Sequence, residues 1–141
     1  MDSCLVPNDL LLGEVSELLS EGKEVIIKTK GSSMLPFIRG DRDSVKLLKK
    51  EPLQVGDIAL ALTGPGRYVL HRIIALDSDS VTLMGDGNLR GTERCRAEDV
   101  KGCVIQILDE DGKPRPLSDG KVWRRLKPFR RIILGIYRRL I

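Results

Sequence analysis

Hydrophobic positions follow a helical spacing near the N-terminus and then change to short runs that are typical of strands. After Asn8, a residue suited to capping a helix, apolar residues recur at helical spacing as far as Gly22. The apolar positions on that face are Leu10, Leu11, Val15, Leu18 and Leu19. This pattern predicts a short amphipathic helix.

From residue 24 onwards the apolar runs are short, rich in β-branched residues and separated by turn residues such as Gly, Asp, Asn and Pro. They predict six strands, at Glu24–Lys30, Ser44–Leu48, Asp57–Leu62, Tyr68–Leu76, Ser80–Met84 and Lys101–Leu108. Six short strands at close spacing, with a helix before and after them, favour a mainly β fold with a small coiled or barrel-like sheet.

Residues 121–141 have a different pattern, in which basic residues surround one apolar helical face. The residues assigned to that face are Val122, Leu126, Phe129, Ile133, Ile136, Tyr137 and Leu140. Proline is best tolerated in the first turn of a helix, so Pro128 places the expected start of the helix near Lys127. We therefore expect a domain over 1–120 and a basic amphipathic helix within 121–141.

The charge distribution also separates residues 121–141 from the rest of the chain. The 141-residue chain has a formal charge of +4, yet residues 121–141 carry eight Lys or Arg and no acid, which leaves 16 basic and 20 acidic residues before them. A helix of charge +8 can lie on an anionic membrane surface, or it can dock on a body of charge −4. Only 4% of the residues are aromatic, so a base-stacking surface for nucleic acid is not expected.

The remaining composition points to a reduced compartment. The three cysteines, Cys4, Cys95 and Cys103, are odd in number and lack metal-site or disulfide-framework spacing. The sequence lacks the basic start and following apolar stretch that would indicate export. Its apolar runs are also far shorter than the roughly 20 residues of a membrane-spanning helix. We expect a cytoplasmic protein without metal or other cofactor, with peripheral contact of the tail at the inner membrane surface as one arrangement.

Two side chains stand out as candidates for chemistry. His71 is the only histidine, and imidazole is the side chain best suited to accept and return a proton near neutral pH. Ser33 follows a predicted strand in a loop between Gly31 and Pro36, where a hydroxyl and a backbone N–H can face one cleft. Each residue alone is more typical of a structural position, whereas a serine with a nearby histidine is typical of nucleophilic catalysis.

Four sequence boxes carry a resemblance to a known superfamily. The run GSSMLPFIRGD at 31–41 resembles the Ser-Met-x-Pro…Gly-Asp box of type I signal peptidases and LexA-like self-cleaving repressors. The runs VGDIAL, VLHRII and LMGDGN, at 55–60, 69–74 and 83–88, are similar to three further boxes in the order of that superfamily. The resemblance covers roughly residues 24–108 and implies the mostly β fold of this group of serine peptidases.

The resemblance also implies roles for individual residues. The serine before Met34 is Ser33, which takes the place of the nucleophile, and His71-Arg72 resembles the archaeal and endoplasmic-reticulum-type branch, in which histidine is the base. Asp86 takes the place of the acid that orients the imidazole. The family's second acidic place is occupied here by Thr92, with Glu93 beside it, so Glu93 is the alternative third member.

The oxyanion and substrate side of the expected site involves three consecutive residues. We expect the backbone N–H of Ser33 to stabilise the oxyanion, the Ser32 hydroxyl to assist it, and Met34 to shape the cleft. The expected function is a serine endopeptidase, similar to signal peptidases, that hydrolyses extended peptide or precursor substrates. The alternative is a catalytically silent peptide-binding module of the same fold.

Overall fold

The computed structural model describes residues 9–31, 33–88, 91–125 and 129–140 of the chain. Helix α1 comes first, eight strands follow, and two short helices come last. The bounds are α1 Asp9–Ser20, β1 Val25–Lys28, β2 Ser44–Leu48, β3 Ile58–Gly64, β4 Arg67–Asp77, β5 Ser80–Met84, β6 Glu93–Arg96, β7 Val100–Leu108, β8 Pro114–Arg115, α2 Lys121–Arg125 and α3 Arg130–Leu140. A 3-10 helix, Ala97–Asp99, joins β6 to β7. The expected capping residue Asn8 lies outside the described residues.

All eight strands belong to one antiparallel sheet in the order β1-β2-β7-β3-β4-β5-β6, with β8 added alongside β7. The mainly β class is therefore confirmed, and among the described residues the sheet is open, with β1 and β6 at the ends of its order. All six predicted strands are present, although β1 is shorter than expected and β3, β4 and β7 extend one or two residues beyond the predicted bounds.

Strands β6 and β8 were not predicted. The β6 sequence, ERCR, has three charged residues in four, so it lacks the apolar alternation by which strands are recognised. The chain turns back after β5, and β6 pairs with that strand in antiparallel orientation. Strand β8 is only two residues long.

The centre of the sheet is buried on both faces. In β3, Ile58 and Leu60 belong to one apolar cluster and Ala59 and Ala61 to another, as the two-residue period of a strand requires. Helix α1 packs Val15 and Leu19 into the first cluster, whose other buried members are Ile27, Met34, Ile38, Val45, Leu47, Val104 and Ile107. The second cluster also holds Ile73, Val81, Leu83 and Cys103. Of the predicted apolar face, Val15 and Leu19 are buried and Leu18 is 39% exposed, while the side chains of Leu10 and Leu11 lie outside the described set.

The C-terminal segment differs from the single helix expected near Lys127. It forms α2 and α3, and residues 126–128 between them lie outside the described residues. Trp123 and Leu134 are buried against Leu35 in a third apolar cluster, although neither belongs to the predicted apolar face. On that predicted face Phe129 and Ile136 are exposed and Ile133 is half-buried. The side chains of Val122, Leu126, Tyr137 and Leu140 are outside the described set.

Within the described part of the chain, no helix combines the length and the hydrophobicity needed to cross a bilayer.

Candidate active site

Ser33 lies in a compact loop that leaves the sheet after β1. The N–H groups of Phe37 and Ile38 both donate to the carbonyl of Met34, at 3.0 Å, which coils the chain directly after the serine. A Cβ atom at Gly40 would come within 1.8 Å of the Gly31 carbonyl oxygen, so the two ends of the loop approach as closely as only glycine allows. Ser33 is thus presented by a tightly closed loop.

Asp43 fastens the far end of this loop. Its side chain is completely buried and accepts the backbone N–H of Arg39 at 2.7 Å, the Arg39 guanidinium at 3.0 Å and a hydrogen bond from Arg115. The carbonyl of Asp43 accepts the Thr29 hydroxyl at 2.8 Å. A buried carboxylate with two guanidinium partners is charge-compensated, so it can hold the loop against the sheet.

His71 connects the serine to a carboxylate. Its Nε2 atom lies 3.1 Å from Ser33 Oγ, and its Nδ1 atom lies 2.6 Å from Glu93 Oε1. A carboxylate can only accept a hydrogen bond, so Nδ1–H donates to Glu93 and Nε2 is left to accept the serine hydroxyl proton. The His71 side chain is 9% exposed and that of Glu93 is 20% exposed, so the contact is largely shielded from water.

Strand register explains why Glu93 reaches the imidazole. Glu93 in β6 is opposite Leu83 in β5, and Leu83 is opposite Ile73 in β4. Residues that are opposite in a sheet share a face, and so do residues two apart along one strand. Glu93, Leu83, Ile73 and His71 therefore share one face of the sheet, which places the carboxylate and the imidazole on the same side.

Asp86 belongs to a different network. Arg72 is opposite Met84, two residues before Asp86, and it points to the face opposite to His71. The guanidinium donates to Asp86 at 2.7 and 2.9 Å and to the carbonyls of Gly56 and Ser118 at 2.8 and 2.6 Å. Arg72 is completely buried and Asp86 is 4% exposed, so each charge has its partner within the protein.

The structure therefore brings together three of the predicted residues and places the fourth, Asp86, away from His71. Ser33, His71 and Glu93 form one connected chain of hydrogen bonds, and Glu93 was the alternative third member. The expected contact between Asp86 and His71 is replaced by the Asp86–Arg72 ion pair, because the two side chains of β4 project to opposite faces. Ser32, the expected helper at the oxyanion, lies outside the described residues.

Met34, which we expect to shape the cleft, does line it and also contacts the backbone of Asp86. Its side chain is 4% exposed, lines the cleft next to Ser33, and accepts the Asp86 N–H through Sδ at 3.4 Å. The Ser33 carbonyl accepts the Gly87 N–H at 2.7 Å. A Cβ atom at Gly85 would come within 2.4 Å of that same carbonyl oxygen. The serine loop and the 85–88 turn thus support each other through backbone contacts.

Two supporting residues were missed by the sequence reasoning. Arg72 stands inside the apolar run VLHRII, and a charged residue in such a run is a signal for a buried, paired charge. Trp123 donates from Nε1 to the Asp86 carbonyl at 2.8 Å and packs edge-on against Phe37, with ring centroids 6.3 Å apart. Because its contacts are distant in sequence, no local pattern could reveal them.

A cleft of about 240 Å³ opens beside the serine and the histidine. Strand β1 borders it, together with residues 29–31, and among the described strands β1 pairs only with β2. The remaining lining is mostly apolar, from Leu12, Met34, Ile38, Leu60, Val69 and Leu70. An extended chain in this cleft can therefore reach both the Ser33 hydroxyl and strand β1.

The described residues contain no group of three or more His, Cys, Asp or Glu side chains arranged to hold a metal ion. Cys103 lies in the second apolar cluster, 2% exposed, and burial raises the pKa of its thiol to about 12. Burial and the nearby Asp99 carboxylate also raise the pKa of Cys95. Neither cysteine has the lowered pKa of a nucleophilic thiol.

Comparison with known proteins identified no matching family model, and no curated protein matched the sequence.

Proposed function

We propose that the protein is a serine peptidase of the signal peptidase and LexA-like group that cleaves extended peptide substrates. The observation that carries the proposal is the chain of hydrogen bonds from Ser33 Oγ to His71 Nε2, at 3.1 Å, and from His71 Nδ1 to Glu93, at 2.6 Å. Nucleophile, base and orienting acid in this order are what a serine needs to attack a carbonyl. The four sequence boxes and the mainly β sheet support the same superfamily.

In the first half of the proposed reaction, Ser33 Oγ attacks the carbonyl carbon of the scissile peptide bond, and its proton moves to His71 Nε2. The carbonyl oxygen becomes an oxyanion, which the Ser33 backbone N–H is suited to stabilise. The imidazolium then donates its proton to the leaving nitrogen, the C–N bond breaks, and an ester on Ser33 remains. Glu93 stabilises the imidazolium through Nδ1–H.

In the second half, water takes the place of the departed amine. His71 Nε2 accepts a proton from the water as its oxygen attacks the ester carbonyl, and then returns the proton to Ser33 Oγ as the C–O bond breaks. The products are a peptide with a new carboxyl terminus, a peptide with a new amino terminus, and the original enzyme. Because every proton is returned, the cycle requires no cofactor.

The cleft supports an extended peptide as substrate. A substrate strand laid beside β1 would form main-chain hydrogen bonds with an edge of the sheet, and the apolar lining would select side chains near the cleaved bond. The close approach of the Ser33 loop to the 85–88 turn leaves little room on that side of the serine.

Acylation by a fluorophosphonate, followed by intact-mass measurement, tests the proposal. The full chain should gain one adduct, located on Ser33, and should cleave extended peptides. Ser33→Ala and His71→Ala should each lower the rate by roughly 10⁴–10⁶-fold, and the double variant should be no worse than either single variant, because the residues act as a unit.

Ser20→Ala is the matched control, since Ser20 is an exposed serine at the end of α1 whose hydroxyl donates to the Glu17 carbonyl of the same helix. It should label and cleave like the unaltered chain. Undiminished turnover by Ser33→Ala would overturn the proposal. Peptide binding without any adduct would instead favour the catalytically silent peptide-binding module.

A further inference from the structure

The exposed large apolar side chains of the described residues are far apart in sequence, except for three that lie in or directly before α3. Phe129, which directly precedes α3, is 58% exposed, and Ile132 and Ile136 within α3 are 63% and 57% exposed. At about 100° per residue, the three lie within a sector of about 60°. We call these three residues the exposed α3 face.

The exposed α3 face is not the face by which the helix is attached. Leu134, roughly 140–160° around the helix from the three residues, is 1% exposed and packs with Trp123 and Leu35. Arg130 is also buried, and Ile133 is half-buried. The helix therefore docks on the body and still presents a second apolar side to the outside.

The charges in the segment that carries this face are of one sign. Lys121, Arg125 and Arg131 are exposed in the same segment, and residues 121–141 contain eight basic residues and no acid. The first 120 residues have a formal charge of −4, so the basic charge of the molecule is concentrated here. An occupant of the exposed α3 face must be apolar at its centre and anionic around it.

We propose that the exposed α3 face inserts into the surface of an anionic phospholipid bilayer. Exposed apolar side chains within a segment rich in arginine and lysine match the layering of a bilayer, in which anionic headgroups cover the acyl chains. A second copy of the chain would bring two segments of eight cations together without an acid between them, so self-association through this face is opposed by charge.

Attachment of α3 to the body links this surface to the candidate active site. Leu35, in the cluster with Leu134, is two residues from Ser33. Trp123 lies in the same cluster and donates to the carbonyl of Asp86. Insertion of α3 into a bilayer therefore fixes the orientation of the serine loop relative to the membrane. The proposal itself does not depend on the peptidase function.

Co-sedimentation of the full chain with vesicles tests it. Phosphatidylcholine vesicles containing phosphatidylglycerol should bind the protein, and vesicles of phosphatidylcholine alone should bind it much more weakly. The double variant Ile132→Ser/Ile136→Ser should bind the anionic vesicles roughly tenfold more weakly or worse, because it removes most of the inserted apolar area. Arg131→Gln should weaken binding by roughly fivefold, and added salt should do the same.

The matched controls are substitutions elsewhere on the surface. Leu76→Ser and Ile105→Ser remove aliphatic side chains that are 40% and 39% exposed on β4 and β7, and Arg67→Gln removes an exposed cation from β4. These three variants should bind anionic vesicles like the unaltered chain. Because Ile132 and Ile136 are exposed, their loss should leave the emission of Trp123, the only tryptophan, unchanged as a check on folding.

Results of three kinds would overturn the proposal. The first is absence of binding to anionic vesicles at low salt. The second is equal binding by the unaltered chain and the Ile132→Ser/Ile136→Ser variant, or by anionic and neutral vesicles. The third is a dimer in sedimentation velocity that the double variant abolishes, since the exposed α3 face would then be covered by a second copy.

Discussion

Glu93 Oε1 lies 2.6 Å from His71 Nδ1, although 22 positions separate the two residues along the chain. The contact crosses two strand pairs, from β6 to β5 at Glu93–Leu83 and from β5 to β4 at Leu83–Ile73, and the register shift in β4 lies on the other side of Ile73 from His71. It selects one tautomer of the imidazole and leaves Nε2 free to accept the proton of Ser33. The position of the acid is therefore a consequence of sheet pairing.

Glu93→Gln should lower the rate of fluorophosphonate acylation by about 10²–10⁴-fold, because the amide cannot stabilise an imidazolium as a carboxylate does. Glu93 is partly exposed, so thermal stability should change little. Glu98→Gln is the control, since Glu98 is an exposed acid that pairs only loosely with Arg96, at 3.5 Å. Equal acylation rates for the two variants would contradict the role of Glu93.

Asp86→Asn should destabilise the fold rather than impair the action of His71 as a base. The substitution leaves the buried Arg72 without a counter-charge, which typically costs about 3–5 kcal/mol of unfolding free energy. Urea denaturation followed by Trp123 emission measures it. Glu21→Gln, in an ion pair whose side chains are more than half exposed, should cost less than about 1 kcal/mol. A stable Asp86→Asn protein with greatly slowed acylation would instead favour the original assignment of Asp86 to the imidazole.

Gly85→Ala should slow acylation by roughly 10²-fold, because the added methyl group cannot be accommodated 2.4 Å from the Ser33 carbonyl oxygen and must displace the serine loop. The same substitution at Gly64 meets nothing nearer than the Arg67 Cβ atom at 4.0 Å. Gly64→Ala should therefore acylate normally. If both variants retain full activity, the serine loop tolerates a shift that the geometry here does not allow.

Cys103 should resist iodoacetamide in the folded protein. Burial raises the pKa of its thiol from 9.0 to about 12, so at pH 8 the reactive thiolate is on the order of 10⁻⁴ of the population. The same shift in pKa makes the free energy of unfolding depend on pH. The folded protein favours the protonated thiol, so this contribution is complete below pH 9 and is lost as the pH rises towards 12.

Peptide mapping after alkylation at pH 8, with and without denaturant, measures the reactivity. Cys103 should be modified only in the denatured sample. Rapid modification of Cys103 in the native protein would show that the second apolar cluster opens more readily than its burial indicates.

Much of this protein followed from local patterns in the chain. The spacing of Val15, Leu18 and Leu19 identified α1, and alternation with turn residues located six strands, two of them with their observed bounds. The boxes around Ser33 and His71 identified a serine and a histidine that the structure places 3.1 Å apart. Such features can be predicted from the sequence because helix periodicity and turn chemistry depend on residues that are close together in the chain.

Tertiary structure decided the rest. In sequence Asp86 takes the place of the orienting acid and Glu93 is the alternative, and only the register of β4, β5 and β6 places Glu93 on the face of His71 and Asp86 on the face of Arg72. Likewise, the burial of Trp123 and Leu134 and the exposure of Ile132 depend on where α2 and α3 meet the body. A shift of one residue in strand pairing turns every side chain to the other face, and this register is set by contacts far apart in the chain.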